Sequence, residues 1–517
     1  MGMRLRLRCT VGGTSAVVAA AALTVVTAGG SPAGVPSAGP AWPGFAGDAQ
    51  HTAQAPASPQ PLSSVHWHAP VDLHPPTSGD EGPIAHYASP MITSSNTVVV
   101  PTRLGRRRGF DLIAYAGSDG TEKWSLHTDY TVPIAARDQW PPPIPAGLLD
   151  DHRVAVAGAG GTLLVRSRVD GATGRVHRVA FYGVRRFRAH RWSYRRSVQI
   201  TTPLTTGPDG STYFGFSATS RAPDGLENGV ARISPTGRGS WVSARRLAGL
   251  GRSTHVVLNC APALSPAGRT GYVAVLAGTR PMLVGFRTAD LRPRYHHVLK
   301  DPQTHEQAQL LESSSATPTV GPDGDVYYGV MGNPIQLHDV RGWLLHFDRT
   351  LSHTRVPGSF GWDQTVSVVP AASVPSYAGG SSYLLVSKYN NYAAGTYGDG
   401  RNEIALLDPH ARQQDRFSEV RVMREVRTVL SPNSPPDAPV GETYEWCINS
   451  IAVDPVTGSA IANNEDGYLY RWDLDTGALT ESIQLGAPRG QAYTETVVGP
   501  DGTSYAIANA TLYAVGN

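Results

Sequence analysis

The stretch Ala316-Thr317-Pro318-Thr319-Val320-Gly321-Pro322-Asp323-Gly324-Asp325-Val326-Tyr327-Tyr328-Gly329 decides the fold. A β-branched run meets a Pro-Asp-Gly turn and leaves on an alternating aromatic run. Pro presets the first turn angle, Asp caps the turn through its side chain and Gly takes the positive φ, so the stretch predicts a β-hairpin. The pattern returns as TTPLTTGPDGSTYFG at 201–215 and TETVVGPDGTSYA at 494–506. Working outward, Pro90, Pro145, Pro203, Pro262 and Pro318 mark inner strands at intervals of 55, 58, 59 and 56 residues. Later inner strands start near Thr365, Asn449 and Glu495 without the proline, which makes eight repeats. Repetition at a long fixed period predicts a solenoid or a propeller.

Second strands follow at 97–100, 153–156, 270–273 and 383–386, and third strands at 112–115, 230–233 and 468–472. Residues 64–71 read as a lone strand with no hairpin partner nearby, and the last repeat stops one strand short of a four-stranded blade. An open ring would leave two unpaired edges, so the first strand is expected to pair with the last blade. The sixth repeat is the outlier, with 84 residues between Thr365 and Asn449. Its excess lies at 408–443, an insertion expected to project from a face. The fold class read from the sequence is an all-β, eight-bladed β-propeller over residues 42–517.

The chain of 517 residues is too long for one ordinary core and suits one large repeat domain. Gly (56) and Pro (41) make up close to a fifth of it, while 40% apolar residues exclude a disordered composition. Arg4, Arg6 and Arg8, the apolar run 17–26 and the small residues before Ala28 read as a secretory signal over 1–28, cleaved near Ala28. A flexible Gly/Ser/Pro/Ala leader follows over 29–41. No run after the signal is long enough to span a bilayer, so a secreted or extracytoplasmic monomer without a transmembrane segment is expected. Removing 1–28 takes three arginines and no acid from a net charge of +3, leaving zero and arguing against a general polyanion or nucleic-acid binder. Cys260 and Cys447 could pair in an oxidising compartment, or stand as two separate buried thiols.

Trp42-Pro43-Gly44-Phe45-Ala46-Gly47-Asp48-Ala49-Gln50-His51-Thr52 resembles the opening motif of secreted propellers with pyrroloquinoline-quinone-like (PQQ-like) repeats. The third strands with their Asp/Thr-Gly turns and outer Trp resemble the repeat itself. Within that superfamily the chain looks closest to an uncharacterised secreted group, through His86-Tyr87-x-Ser89-Pro90, Asn259-Cys260-Ala261-Pro262, the 341–347 run, Lys388-Tyr389-Asn390-Asn391-Tyr392 and Glu445-Trp446-Cys447-Ile448-Asn449. The resemblance implies that enzymatic members hold the quinone between a Trp and a disulfide of adjacent cysteines, with Ca²⁺ on Glu, Asn and Asp. Here the cysteines are not adjacent, and no Cys-x-x-Cys-His offers a haem.

The candidate ligand-binding residues are His86, Tyr87, Trp362, Asp363, Lys388, Tyr389, Asn390, Asn391, Glu445, Trp446 and Asn449. Trp362-Asp363 and 445–449 could supply an aromatic lid and hard oxygen ligands for PQQ and Ca²⁺; the alternative is the same fold with no cofactor. The 388–392 run offers amides, phenols and an ammonium suited to a hydroxyl-rich or peptide ligand, or else a turn packed between blades. His338-Asp339 with Arg341 invites a general-base or metal story, against a hydrogen-bonded structural histidine. Asp399, Asn402 and Glu403 read as a turn rather than a Ca²⁺ loop. The arginine- and aromatic-rich run 185–196 could meet anionic glycopolymer or lipid headgroups, or be a solvated connection between blades. No catalytic set is complete and no metal site is expected. The preferred function is a secreted propeller that binds a small molecule, glycan or envelope protein. The alternatives are a quinoprotein-type oxidoreductase, a hydrolase using funnel carboxylates, and an envelope assembly scaffold.

Overall fold

The computed structural model describes residues 39–77, 85–105, 109–132, 143–312, 314–392, 398–446, 448–488 and 494–517. Eight antiparallel sheets follow one another along the chain. Blades one to eight run over 91–128, 146–180, 198–243, 254–298, 319–347, 367–430, 452–484 and 497–516. The Pro-Asp-Gly turns join first to second strands, as the β-hairpin reading of those stretches requires. The chain is an eight-bladed β-propeller.

The strand Ser64–Pro70 lies beside Thr511–Gly516, with Ser64 opposite Gly516 and Pro70 opposite Thr511, and completes the last blade. Trp67 secures this closure. It is buried, its Nε1 donates to Gly117 O at 2.8 Å, and its ring meets Tyr115 and Tyr505 at 5.6 and 5.7 Å.

Blade five has only three regular strands. Its outer edge is finished irregularly by 354–358, which bridges back to Leu344 and Phe347. The excess residues of blade six go largely to this edge. Glu403–Gln414 and Arg421–Leu430 form an unusually long outer hairpin, and Met423 N donates to Pro357 O of blade five at 2.8 Å. Val422 of the hairpin joins the apolar core of blades four and five.

The run 185–196 folds into two short helices, Val184–Ala189 and Arg191–Ser197, between blades two and three. Phe187 and Tyr194 point into the core, and Tyr194 stacks on Tyr182 at 4.1 Å. Arg195 pairs with Asp129, while Arg185, Arg188, Arg191 and Trp192 stay exposed. One buried aromatic per helix, Phe187 and Tyr194, explains how so basic a run still docks on the core.

Candidate functional site

The site begins with the segment 42–55, which runs along the propeller axis. Trp42 exchanges backbone hydrogen bonds with Ile92 of blade one, and Pro43 O accepts from Leu148 N of blade two. His51 Nε2 faces Thr205 Oγ1 of blade three at 3.3 Å, and its Nδ1 donates to Pro318 O of blade five at 2.8 Å. Ala49 O, Gln50 O, Thr52 O and Ala53 O accept from Leu264, Val320, Val368 and Val453 of blades four to seven. Ala46 of the segment packs in one apolar cluster with Val497 and Val498 of blade eight, just after the buried Glu495. One short loop therefore hydrogen-bonds to blades one to seven, packs against blade eight and occupies the axis of the ring. Its shape comes from residues of positive φ, Ala46 (48°), Gly47 (77°), His51 (64°) and Ala53 (54°), and from Asp48, whose carboxylate accepts from Gln50 N and Thr52 N. Buried imidazole disfavours a charge, so the His51 pKa falls to about 4; buried carboxylate does likewise, so that of Glu495 is pushed up to about 7.

Strand direction fixes which loops share an end. In each antiparallel blade the loop into the first strand and the loop from second to third lie at one end, and the Pro-Asp-Gly turns at the other. Every candidate residue from the sequence belongs to the first end. There a funnel opens above the axial loop, floored by Phe45 and lined by His86, Tyr87, Ser89, Asn259, Ser315 and Asn449 among others. Its volume is about 20 Å³, room for a water or two. Two of its lining side chains, Asn259 and Asn449, carry an amide Oδ1 that is buried with no hydrogen-bond partner among the described residues. Buried acceptors without partners mark a place where a donor, from water or a ligand, belongs.

The structure brings His86, Tyr87 and Asn449 together at the funnel and places the other candidates behind it. Asp363 Oδ1 accepts from Ser315 N and Oγ at 2.8 and 3.0 Å, tying the blade-six loop to the funnel wall. Lys388 Nζ is buried, donates to Asp363 O at 3.1 Å, lies 4.0 Å from Asp363 Oδ2 and sits 6.0 Å from the Trp362 ring centre. Asn390 exchanges hydrogen bonds with the Trp446 backbone, pinning blade six to blade seven. Asn391 bonds Asp399 and Asn402, and Tyr389 Oη donates to Glu425 Oε1 at 2.7 Å. Glu445 is half-buried in the same loop as Trp446. The 388–392 run is thus an inter-blade strut, with its lysine turned inward. Arg341, wholly buried, donates to Tyr389 O and Asn390 O and stacks over Tyr389 and Phe417, stiffening that strut.

His338 is buried in a structural pin. Its Nε2 lies 2.9 Å from Asp415 Oδ2 and 3.2 Å from Ser359 Oγ, Ser359 Oγ donates to Asp415 Oδ1 at 2.5 Å, and the ring stacks on Trp343 at 3.9 Å. A Ser, a His and an Asp meet here, but one imidazole nitrogen serves both partners and both His338 and Asp415 side chains are fully inaccessible, which is incompatible with relaying a proton to substrate. Cys260 is buried, has no disulfide partner among the described residues and accepts from Ala274 N at 3.3 Å; as a thiol its pKa is pushed up to about 12 by burial. Cys447, with which it could pair, lies outside the described residues. The sequence reading missed Phe45, Asn259, Ser315 and Glu495. The available signal was position, since three of them stand just before or at the start of an inner strand.

The quinone set implied by the resemblance can be tested on these residues. A 20 Å³ funnel is far below the several hundred Å³ an organic cofactor needs. Asp363 is committed to Ser315 and Lys388, and no pair of adjacent cysteines exists. The residues present do not fit the cofactor.

No protein-family model matches the chain, and no curated protein is similar to it at a significant level. Solved structures do match. A europium-containing methanol dehydrogenase aligns at TM-score 0.56 and 11% identity over 90% of this chain and 89% of its own. Quinohemoprotein alcohol dehydrogenase from Comamonas testosteroni aligns at 0.54 and 10% identity, over 92% and 81%. BamB from Moraxella catarrhalis aligns at 0.41 and 11%, over 87% and 98%. The class is therefore the eight-bladed β-propeller, the fold that these two dehydrogenases share. At these identities the likeness is one of fold.

Proposed function

We propose that the protein is an extracytoplasmic binding propeller, exported by its N-terminal signal, that recognises a hydroxyl- or ammonium-bearing tip of a larger ligand at the funnel end without catalysing a reaction on it. The lining of the funnel carries this reading. An enzyme of this architecture needs acids, His or Lys converging on a cavity that holds substrate. Here amides, hydroxyls and aromatics line a cavity of about 20 Å³, joined by one histidine, His86, and backed by a buried Glu495. Unpartnered acceptor oxygens suit a donor-rich group, and amides beside Phe45 and Tyr87 suit a sugar. The small funnel argues against a resident quinone and hence against the oxidoreductase alternative. The test is titration of the mature protein with an oligosaccharide panel. Saturable binding that Asn449→Ala abolishes supports the reading; dye-linked oxidation of any sugar or alcohol overturns it.

A further inference from the structure

The other end of the propeller carries a second cluster, between blades five and six. Asp323 and Asp325 lie on the Pro-Asp-Gly turn of blade five, and His346 on its third strand, opposite Tyr327. His410 reaches across from the long hairpin of blade six. His346 Nε2 is 2.9 Å from Asp325 Oδ2, and His410 Nε2 is 3.2 Å from Asp323 Oδ2 and 3.9 Å from Asp325 Oδ2. The ligand atoms of Asp325, His346 and His410 all lie within 4.8 Å of one another. Four atoms around a tetrahedral zinc ion, at bonds of about 2.0–2.1 Å, stand roughly 3.4 Å apart. Small rotations of these three side chains close the difference, and Asp323 Oδ2, 3.2 Å from His410 Nε2, swings in as the fourth ligand.

The surroundings support the four ligands as a metal shell would be supported. Ser381 Oγ lies 3.2 Å from His410 Nδ1, leaving Nε2 for the centre. Tyr383 Oη donates to Asp323 Oδ1 at 3.0 Å, and Tyr327 stacks on His346 at 4.5 Å. A cavity of about 330 Å³, lined by His297, Lys300, His346 and Arg355 among others, borders the cluster. Comparison between blades sharpens the point. At the same register in blade three, Asp209 faces Arg232, opposite Tyr213, and the pair neutralises itself at 3.2 Å. Blade five replaces that arginine with His346, adds Asp325 where blade three has Ser211, and receives His410 from its neighbour.

We propose that Asp323, Asp325, His346 and His410 bind one divalent cation of the zinc class, joining the blade-six hairpin to the blade-five turn. Two imidazoles and two carboxylates suit zinc and the neighbouring divalent transition metals over calcium or magnesium. Two features set the affinity below that of a closed structural zinc centre. Arg355 Nε lies 2.9 Å from Asp325 Oδ2 and competes for that oxygen, although its side chain is 48% exposed and free to swing out. His346 Nδ1 is buried without a hydrogen-bond partner among the described residues, so it gains no orienting acceptor when Nε2 takes the metal.

The experiment is calorimetric titration of the metal-free mature protein with Zn²⁺, with Co²⁺ as the spectroscopic probe. The expected result is one site per chain, a visible tetrahedral Co²⁺ band, and a loss of affinity of about 100-fold in His410→Ala. His410 is surface-accessible, so this variant folds, as circular dichroism would verify. Arg355→Gln is expected to bind tighter, by several-fold, and zinc to raise its melting temperature more than that of the parent. An ion-pair network with no metal role predicts the opposite for Arg355→Gln, lower stability with no gain in affinity. Absence of stoichiometric binding, binding that His410→Ala retains, or weaker binding in Arg355→Gln would each overturn the proposal.

Discussion

The axial loop carries two buried titratable groups whose pH dependences oppose each other. The His51 pKa falls to about 4 in the folded protein, below the 6.5 of a free imidazole. The unfolded chain thus binds the extra proton between those values, and stability is lost as pH falls through that window. At about 1.4 kcal/mol per pKa unit the loss reaches about 3 kcal/mol by pH 4. Glu495 behaves in the opposite sense. Its pKa rises from 4.5 to about 7, so the folded protein holds the proton between those values and stability falls as pH rises through them. The same conversion gives about 3 kcal/mol lost by neutral pH. Between about pH 4.5 and 6.5 the two slopes nearly cancel. Single substitutions unmask them. His51→Asn offers an amide N–H in place of Nδ1 and tolerates the positive φ of 64° at this position. Glu495→Gln keeps shape without charge. Urea unfolding at pH 4.5, 5.5 and 7 would follow the difference between parent and variant, in which all other titrating groups drop out. Over pH 4.5 to 7 the parent's advantage over His51→Asn should grow by about 2.5 kcal/mol, and its advantage over Glu495→Gln should shrink by about as much. Two differences that are flat in pH would refute the claim that both groups are sealed from solvent by the axial loop.

Three further outcomes are expected. Trp67→Ala removes the buried ring that locks the closing strand, and should lower stability by about 3–5 kcal/mol, read as a fall in the urea midpoint. Native protein should protect Cys260 from thiol reagents, since its thiol is buried and its pKa lies near 12, and unfolding without reductant should expose it to labelling; a Cys260 peptide that labels only after reduction would show pairing instead. Arg341→Ala empties a fully buried cation site from between Tyr389, Phe417 and the strut carbonyls, and should cost about 3 kcal/mol or more by the same unfolding assay.

Much of the architecture was legible because propellers write their geometry locally. The Pro-Asp-Gly turns fixed hairpins, the recurring prolines counted inner strands, and the orphan strand at 64–71 announced its pairing with Thr511–Gly516. The opening motif was legible as a resemblance only. Its physical role, one loop bonded to seven blades and packed on the eighth, depends on contacts hundreds of residues apart, such as His51 to Pro318, which no local pattern contains. Candidate residues divided similarly. Entry into an inner strand put His86 and Asn449 at the funnel, but the 388–392 run turned inward because Arg341 and Asp363 supplied buried partners for it. The Asp323, Asp325, His346 and His410 cluster escaped notice because its ligands come from two blades without metal-motif spacing; only alignment of blade three on blade five exposes the change from Arg232 to His346.

The central claim is that the filled axis leaves a funnel for recognition and none for a quinone. Calorimetric titration of the mature protein with pyrroloquinoline quinone in the presence of Ca²⁺, followed by dye-reduction assays on sugars and alcohols, tests it most directly. No saturable heat and no turnover are predicted. Saturable micromolar binding with substrate-dependent dye reduction would contradict the account.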